Sequence, residues 1–193
     1  RSNIHELSHH WFGDKITCLT FDHLWLNEGF ATYCEALFSE YTGGSSVYHA
    51  YVDAWTTLDS YPIVSSSADN FSGSIVYRKG AWVLHMLRHV VGDSIFFTSI
   101  NNYINDSTLV YGTATSGDLE RHFTLSVGTS MSWFFNEWLY QALRPTYQWS
   151  WSSHVEGPDT VLDLQVTQTQ SGTSYVMPLD FKAFISPGGS TTL

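Results

Sequence analysis

The chain has 193 residues, 43% hydrophobic and 16% aromatic, so it can bury a core of one good-sized domain, and its composition argues against disorder. Only 13% of residues are charged and the formal net charge is −10, which excludes a nucleic-acid partner because no cationic cluster is present to neutralise phosphates. No apolar run approaches the ~18 residues of a membrane span, so no transmembrane anchor is expected in this chain.

The first predicted element is a helix stopped by Gly13-Asp14, and it carries His5-Glu6-Leu7-Ser8-His9. Two histidines four positions apart share one face of a helix, so their imidazoles can hold a single metal between them. Glu6 lies beside the pair, where it can take a proton from metal-bound water. Lys15 to Asp22 reads as a connector, with Ile16, Cys18, Leu19 and Phe21 packing inward. A second helix begins near Leu24-Trp25-Leu26-Asn27-Glu28-Gly29-Phe30-Ala31, runs to about Tyr41 and is ended by Gly43-Gly44. Glu28 follows His9 by enough chain for the second helix to return antiparallel, which makes it the third metal donor. Two imidazoles and one carboxylate, with water in the fourth position, form a catalytic zinc arrangement and not a sealed structural one. The alternative for Glu28 is a carboxylate that merely favours the positive end of its helix. Glu35, two turns after Glu28 on the same face, is either a carboxylate that fixes a ligating imidazole or a solvated surface group.

These stretches resemble the gluzincin-type zinc aminopeptidases, the group that includes aminopeptidase N and leukotriene A4 hydrolase. The family pattern H-E-x-x-H-x-W-F-G is matched from His5 to Gly13, and L-W-L-N-E-G-F-A from Leu24 to Ala31. The resemblance implies a mainly α fold, a thermolysin-like helical catalytic domain followed by a short all-β segment that opens a β-sandwich. It implies one Zn2+ per chain on His5, His9 and Glu28, with Glu6 as general base and then acid. Peptides are the implied substrates, and release of N-terminal amino acids the implied reaction.

Further along, Val47, Tyr51, Ala54, Trp55 and Leu58 repeat at three- and four-residue steps, predicting a third helix from Ser46 to Leu58 with this stripe as its apolar face. Asp59 to Gly73 is a long connector with Pro62, Ser65-Ser66-Ser67 and Asp69-Asn70; the family likeness puts it on the substrate side. Ile75 opens a helix to about Val90. Its Tyr77-Arg78-Lys79-Gly80 matches the family's Y-x-K-G, which implies that Tyr77 donates a hydrogen bond to the oxyanion. Lys79 reads as structural or solvated, and His10, His85 and His89 as makers of local contacts. Gly92-Asp93 starts a helix from Ser94 to Ile104. The stretch Tyr111 to Leu119 matches another family segment, with Ser116 or Gly117 as cap of a helix from Asp118 to Ser126. Ser130 to Ala142 is a helix whose aromatic residues belong to the core.

Pro145 ends the helical part, which gives two expected units: a catalytic core over 1–145 and a β-rich segment over 146–193. Period-two alternation places strands around Tyr147 to Trp151, Val161 to Gln170, Tyr175 to Leu179 and Phe181 to Ile185. An incomplete sandwich leaves an exposed edge, through which self-association is expected.

The family's G-x-M-E-N segment, which recognises the free α-amine of the substrate, does not occur in these residues. Three alternatives therefore stay open: an inactive or weakly active metal-binding fragment or scaffold, a thermolysin-like endopeptidase, and an epoxide-opening hydrolase with the same ligands. Arg1 is not a natural start, so the chain reads as an excised or processed piece. Cys18 and Cys34 can pair or stay free. Low charge and abundant Ser, Thr and Gly give the expectation of a secreted or periplasmic bacterial protein.

Overall fold

The structure is a computed structural model that describes residues 2–57, 60–65, 73–185 and 189–192. Leu58, Asp59, Ser66, Ser67, Asp69, Asn70, Pro187 and Gly188, to which the sequence assigned places in a helix, a connector or a chain end, lie outside the described residues.

In chain order the helices are α1 (Ser2–Ser8), α2 (Trp25–Asp53), α3 (Gly80–Ile104), α4 (Ser116–Val127) and α5 (Ser132–Leu139). A wide π-type turn, Gly73–Lys79, leads into α3. Two of these helices are bent where glycine permits it. Gly44 in α2 (φ 76°) and Gly92 in α3 (φ 77°) adopt backbone that a side chain would resist, and each splits its helix in two. The predicted boundaries at Gly43-Gly44 and Gly92-Asp93 are therefore real breaks in direction between contiguous helices.

The core sits where α2, α3, α4 and α5 meet. Trp25, Phe30, Tyr33, Phe96, Phe123, Phe134 and Phe135 are all buried there. Their dispersion contacts and apolar burial hold the helices together. The helix expected over Ser130 to Ala142 is shorter, Ser132–Leu139, yet its Phe134, Phe135, Trp138 and Leu139 are core as read.

Two three-residue strands that the sequence did not reveal link the connector to the start of α4. β1 (Ile16–Cys18) pairs in parallel with β2 (Gly112–Ala114). Asn27 clamps this sheet to α2: its Oδ1 accepts from the Cys18 amide at 3.1 Å and its Nδ2 donates to Thr17 Oγ1 at 3.2 Å. The pairing uses the connector's backbone and leaves Leu19 and Phe21 exposed, against the expectation that they pack inward; Ile16 alone of the four is fully buried. The cap of α4 is Thr115, one residue before the expected Ser116. Its hydroxyl accepts from the Asp118 amide while Asp118 accepts from the Thr115 amide, a reciprocal capping box. Ser116 is spent elsewhere, accepting from Trp25 Nε1 at 2.9 Å. Both cysteines are free thiols.

The last part is a hairpin of β3 (Tyr147–Glu156) and β4 (Asp159–Gln168), then a short pair, β5 (Lys182–Ile185) and β6 (Gly189–Thr192). Tyr175 to Leu179, expected as a strand, forms none. Tyr175 is instead buried against Trp138, and its hydroxyl donates to the Ala142 and Leu143 carbonyls, which fastens this segment to the end of α5.

One crossing determines how the ligand-bearing helix meets the turn that carries Tyr77. A Cβ on Gly29 would lie 3.1 Å from Gly80 Cα, and one on Gly80 would lie 3.2 Å from Gly29 Cα. Backbone packs on backbone here, so neither side has a side chain that can swing away. Gly80→Ala should push α2 and α3 apart and cost about 1–3 kcal/mol, read as a lower urea midpoint. An unchanged midpoint would show that the crossing tolerates a methyl group.

Candidate metal centre

The first ligand-bearing element is shorter than its pattern suggested. α1 ends at Ser8, and His9 lies in the turn that follows. The Phe12 amide still bonds the Ser8 carbonyl, so His9 keeps a helical position. The Asp14 amide then folds back to the His9 carbonyl at 2.8 Å and closes the helix end. Gly13 permits this fold, because a Cβ there would meet the His9 carbonyl oxygen at 2.9 Å. Phe12 stacks on Phe30 of α2 with ring centroids 4.2 Å apart, which joins the two ligand-bearing segments through the core.

The structure brings His5, His9 and Glu28 together. One donor atom from each lies within 4.8 Å of the other two, and among the described residues no other set of three acids, histidines or cysteines does this. His5 Nε2 is 3.2 Å and His9 Nε2 3.5 Å from Glu28 Oε2. Tetrahedral zinc with bonds of about 2.0–2.2 Å sets its donors about 3.3 Å apart, so the cage fits that ion.

The outward ring nitrogens give the stronger argument. His5 Nδ1 faces Glu35 Oε1 at 2.9 Å, and His9 Nδ1 faces the Phe12 carbonyl at 3.1 Å. A carboxylate and a carbonyl only accept, so each Nδ1 carries the proton. In the neutral rings both Nε2 atoms are then bare lone pairs, and they converge on a carboxylate oxygen. Three such atoms repel one another unless a cation lies among them.

Glu35 therefore holds the imidazole, the more specific of its two sequence readings. Its other oxygen accepts from the Tyr51 hydroxyl at 2.6 Å, a partner that the sequence gave no sign of. The run Tyr51–Glu35–His5 backs one of the three converging donors. Glu35→Gln should weaken zinc binding about 10–100-fold in a chelator competition, with Tyr51→Phe losing less. Equal affinity in all three proteins would leave Glu35 without that role.

Glu6 is exposed. Tyr77 sits across the site with its ring stacked on His5 at 5.8 Å and 11°. Burial, then the negative charges of Glu28 and Glu6, push the Tyr77 phenol up from its ordinary value, so it keeps its proton and remains a donor. The π-type turn that presents Tyr77 belongs to a class of helix irregularity common at functional sites.

A cleft of about 870 Å3 opens beside the site, lined by His5, Glu35 and Tyr77 and by Val47, Ala50, Tyr51, Ala54 and Trp55. The third helix expected from Ser46 to Leu58 is the second half of α2 and ends at Asp53. Val47, Tyr51, Ala54 and Trp55 of its apolar stripe line the cleft, and the residues this half buries are Tyr48 and Val52. Apolar periodicity reports a face, not what covers it.

His10, His85 and His89 make local contacts, as expected. His85 Nδ1 bonds the Tyr48 hydroxyl at 2.6 Å, and burial lowers its pKa to about 4. His89 pairs with Asp180 and His10 with Asp14 at the surface. Lys79 is buried and donates to the Tyr61 carbonyl, which makes it structural and not solvated. Burial also raises the Cys34 thiol pKa, so Cys34 stays protonated and is no thiolate donor.

Comparison with known proteins gives a consistent result. Residues 3–138 match the model of the peptidase family M1 domain. A probable aminopeptidase 1 from Sulfurisphaera tokodaii is 30% identical over 92% of this chain and 24% of its own length. Aminopeptidase N from Streptomyces lividans is 33% identical over 74% of this chain and 19% of its own. The chain thus spans about a quarter or less of these relatives. An M1 zinc metallopeptidase from Deinococcus radiodurans, solved with a Tyr-Ser-Ala substrate, superposes with a TM-score of 0.65 at 30% identity, covering 75% of this chain and 33% of that one. Aminopeptidase A from Legionella pneumophila shares the fold over 98% of this chain and 22% of its own, with a TM-score of 0.76 at 21% identity.

Proposed function

Because the chain belongs to the M1 peptidase family, we propose that it is the zinc-binding catalytic portion of a peptidase that removes N-terminal residues from peptides. The observation that carries this reading is the meeting of His5, His9 and Glu28 with both outward ring nitrogens already engaged. Relatives named as aminopeptidases, and one solved with a Tyr-Ser-Ala substrate, support the substrate class.

His5, His9 and Glu28 would hold the zinc, whose Lewis acidity makes water a nucleophile near neutral pH. Glu6 takes the proton of the attacking water and returns it to the leaving amine, the general-base-then-acid role. Tyr77 keeps its phenolic proton and donates a hydrogen bond to the oxyanion as charge develops on the scissile oxygen. Glu35 and the Phe12 carbonyl keep His5 and His9 in the tautomer that leaves Nε2 free. The division into a catalytic core over 1–145 and a β-rich segment over 146–193 belongs to the same proposal, as does pairing of two copies along an edge of the β3–β4 hairpin.

The test is hydrolysis by the zinc-loaded chain of two fluorogenic peptides, one with a free N-terminus and one blocked. Cleavage of the free peptide alone is the expected outcome. Equal cleavage of both would make it an endopeptidase, and cleavage of neither would make it a metal-binding fragment.

A further inference from the structure

The cleft has a feature that the proposed reaction does not use. Its wall carries one cation among the described residues, Arg78, next in sequence to Tyr77. Among the described residues the guanidinium makes one hydrogen bond, Nη1 to Thr56 Oγ1 at 3.0 Å, and Thr56 also lines the cleft. No acidic residue pairs with Arg78 among the described residues. Elsewhere Arg88 is paired with Glu40 and Asp93, and Arg121 with Asp106. The one acid on the cleft wall, Glu35, is already occupied by His5 and Tyr51. In a chain of net charge −10, an arginine with no acidic partner in a cleft whose one acid is engaged elsewhere is conspicuous.

Most of its N–H donors remain uncommitted, and a guanidinium fork matches a carboxylate with two parallel hydrogen bonds. We propose that Arg78 is a specificity-determining residue that favours peptides bearing a carboxylate close to the hydrolysed bond. The carboxylate is either the C-terminus of a di- or tripeptide or an acidic side chain. This rests on the peptidase reading above, and the two are separable by experiment.

Four peptides serve as probes: trialanine, trialanine amide, and the amides of Ala-Glu-Ala and Ala-Gln-Ala. Hydrolysis is measured with zinc-loaded wild type, Arg78→Gln and Arg78→Lys. Binding is measured by calorimetry in the Glu6→Gln background, with and without Arg78→Gln, which requires no turnover. The expected result is about a tenfold preference, expressed in KM and in Kd, for the acid over its neutral counterpart. Arg78→Gln removes the preference, Arg78→Lys keeps part of it, and the two peptides without that carboxylate, trialanine amide and Ala-Gln-Ala amide, are unaffected. Preference for trialanine over its amide identifies the C-terminus as the source; preference for Glu over Gln identifies the side chain. No preference in either pair, no binding of any probe, or a preference that survives Arg78→Gln overturns the proposal. Carboxylate-selective, Arg78-dependent binding without hydrolysis by any protein would uphold Arg78 and sink the peptidase reading instead.

Discussion

Glu6→Gln should abolish peptide hydrolysis while leaving zinc in place, with kcat falling about a thousandfold, within the range for loss of a positioned acid–base group. Glutamine keeps the size and hydrogen-bonding reach of the side chain and removes only its ability to take a proton. Glu6 is exposed and is not one of the three converging donors, so neither packing nor the cage depends on it. The thermal midpoint and the zinc content should accordingly match wild type. A loss under tenfold would move the base elsewhere, and a loss of zinc would mean that Glu6 belongs to the cage.

His5→Ala is the second large effect, and it acts on the metal. His5 touches three other residues of the site at once: Nε2 faces Glu28, Nδ1 faces Glu35, and its ring stacks on Tyr77. Its removal deletes a donor and leaves Glu28 and Glu35 without their shared cationic or imidazole partner. Zinc affinity should fall well beyond the ~10–100-fold that loss of an outer partner produces. A ligand that binds only the folded chain stabilises it, by about 2.7 kcal/mol at a hundred times its Kd. Added zinc should therefore raise the melting temperature of wild type by several degrees and leave that of His5→Ala unmoved. Equal shifts in both would place the metal elsewhere.

How far the sequence carries depends on whether an interaction has a spacing. His5 and His9 do, and Glu28 with Glu35 do, because a helix converts intervals of four and seven into a shared face. The convergence of His5, His9 and Glu28 and the contact of Glu35 with His5 were therefore legible. Tyr77 has no such signature: it lies in a π-type turn and was found only through the family motif. Gly29 and Gly80 stood in two motifs, but that they pack against each other is a tertiary fact. Tyr51 and Trp55 follow an apolar period that marks one face, but nothing in the period says that this face also lines a cleft. The pairing of β1 with β2 joins short segments nearly a hundred residues apart, with no local pattern to announce it. Thr115 lost the cap to its neighbour in the reading because adjacent Thr and Ser are chemically interchangeable there, and only the bond from Trp25 to Ser116 breaks the tie.

The most direct test of the central claim is zinc K-edge X-ray absorption on the reconstituted chain. The account predicts one zinc per chain, with two imidazole nitrogens and oxygen at about 2.0–2.2 Å. A sulfur shell at about 2.3 Å, or no zinc retained after dialysis, would contradict the assignment of His5, His9 and Glu28.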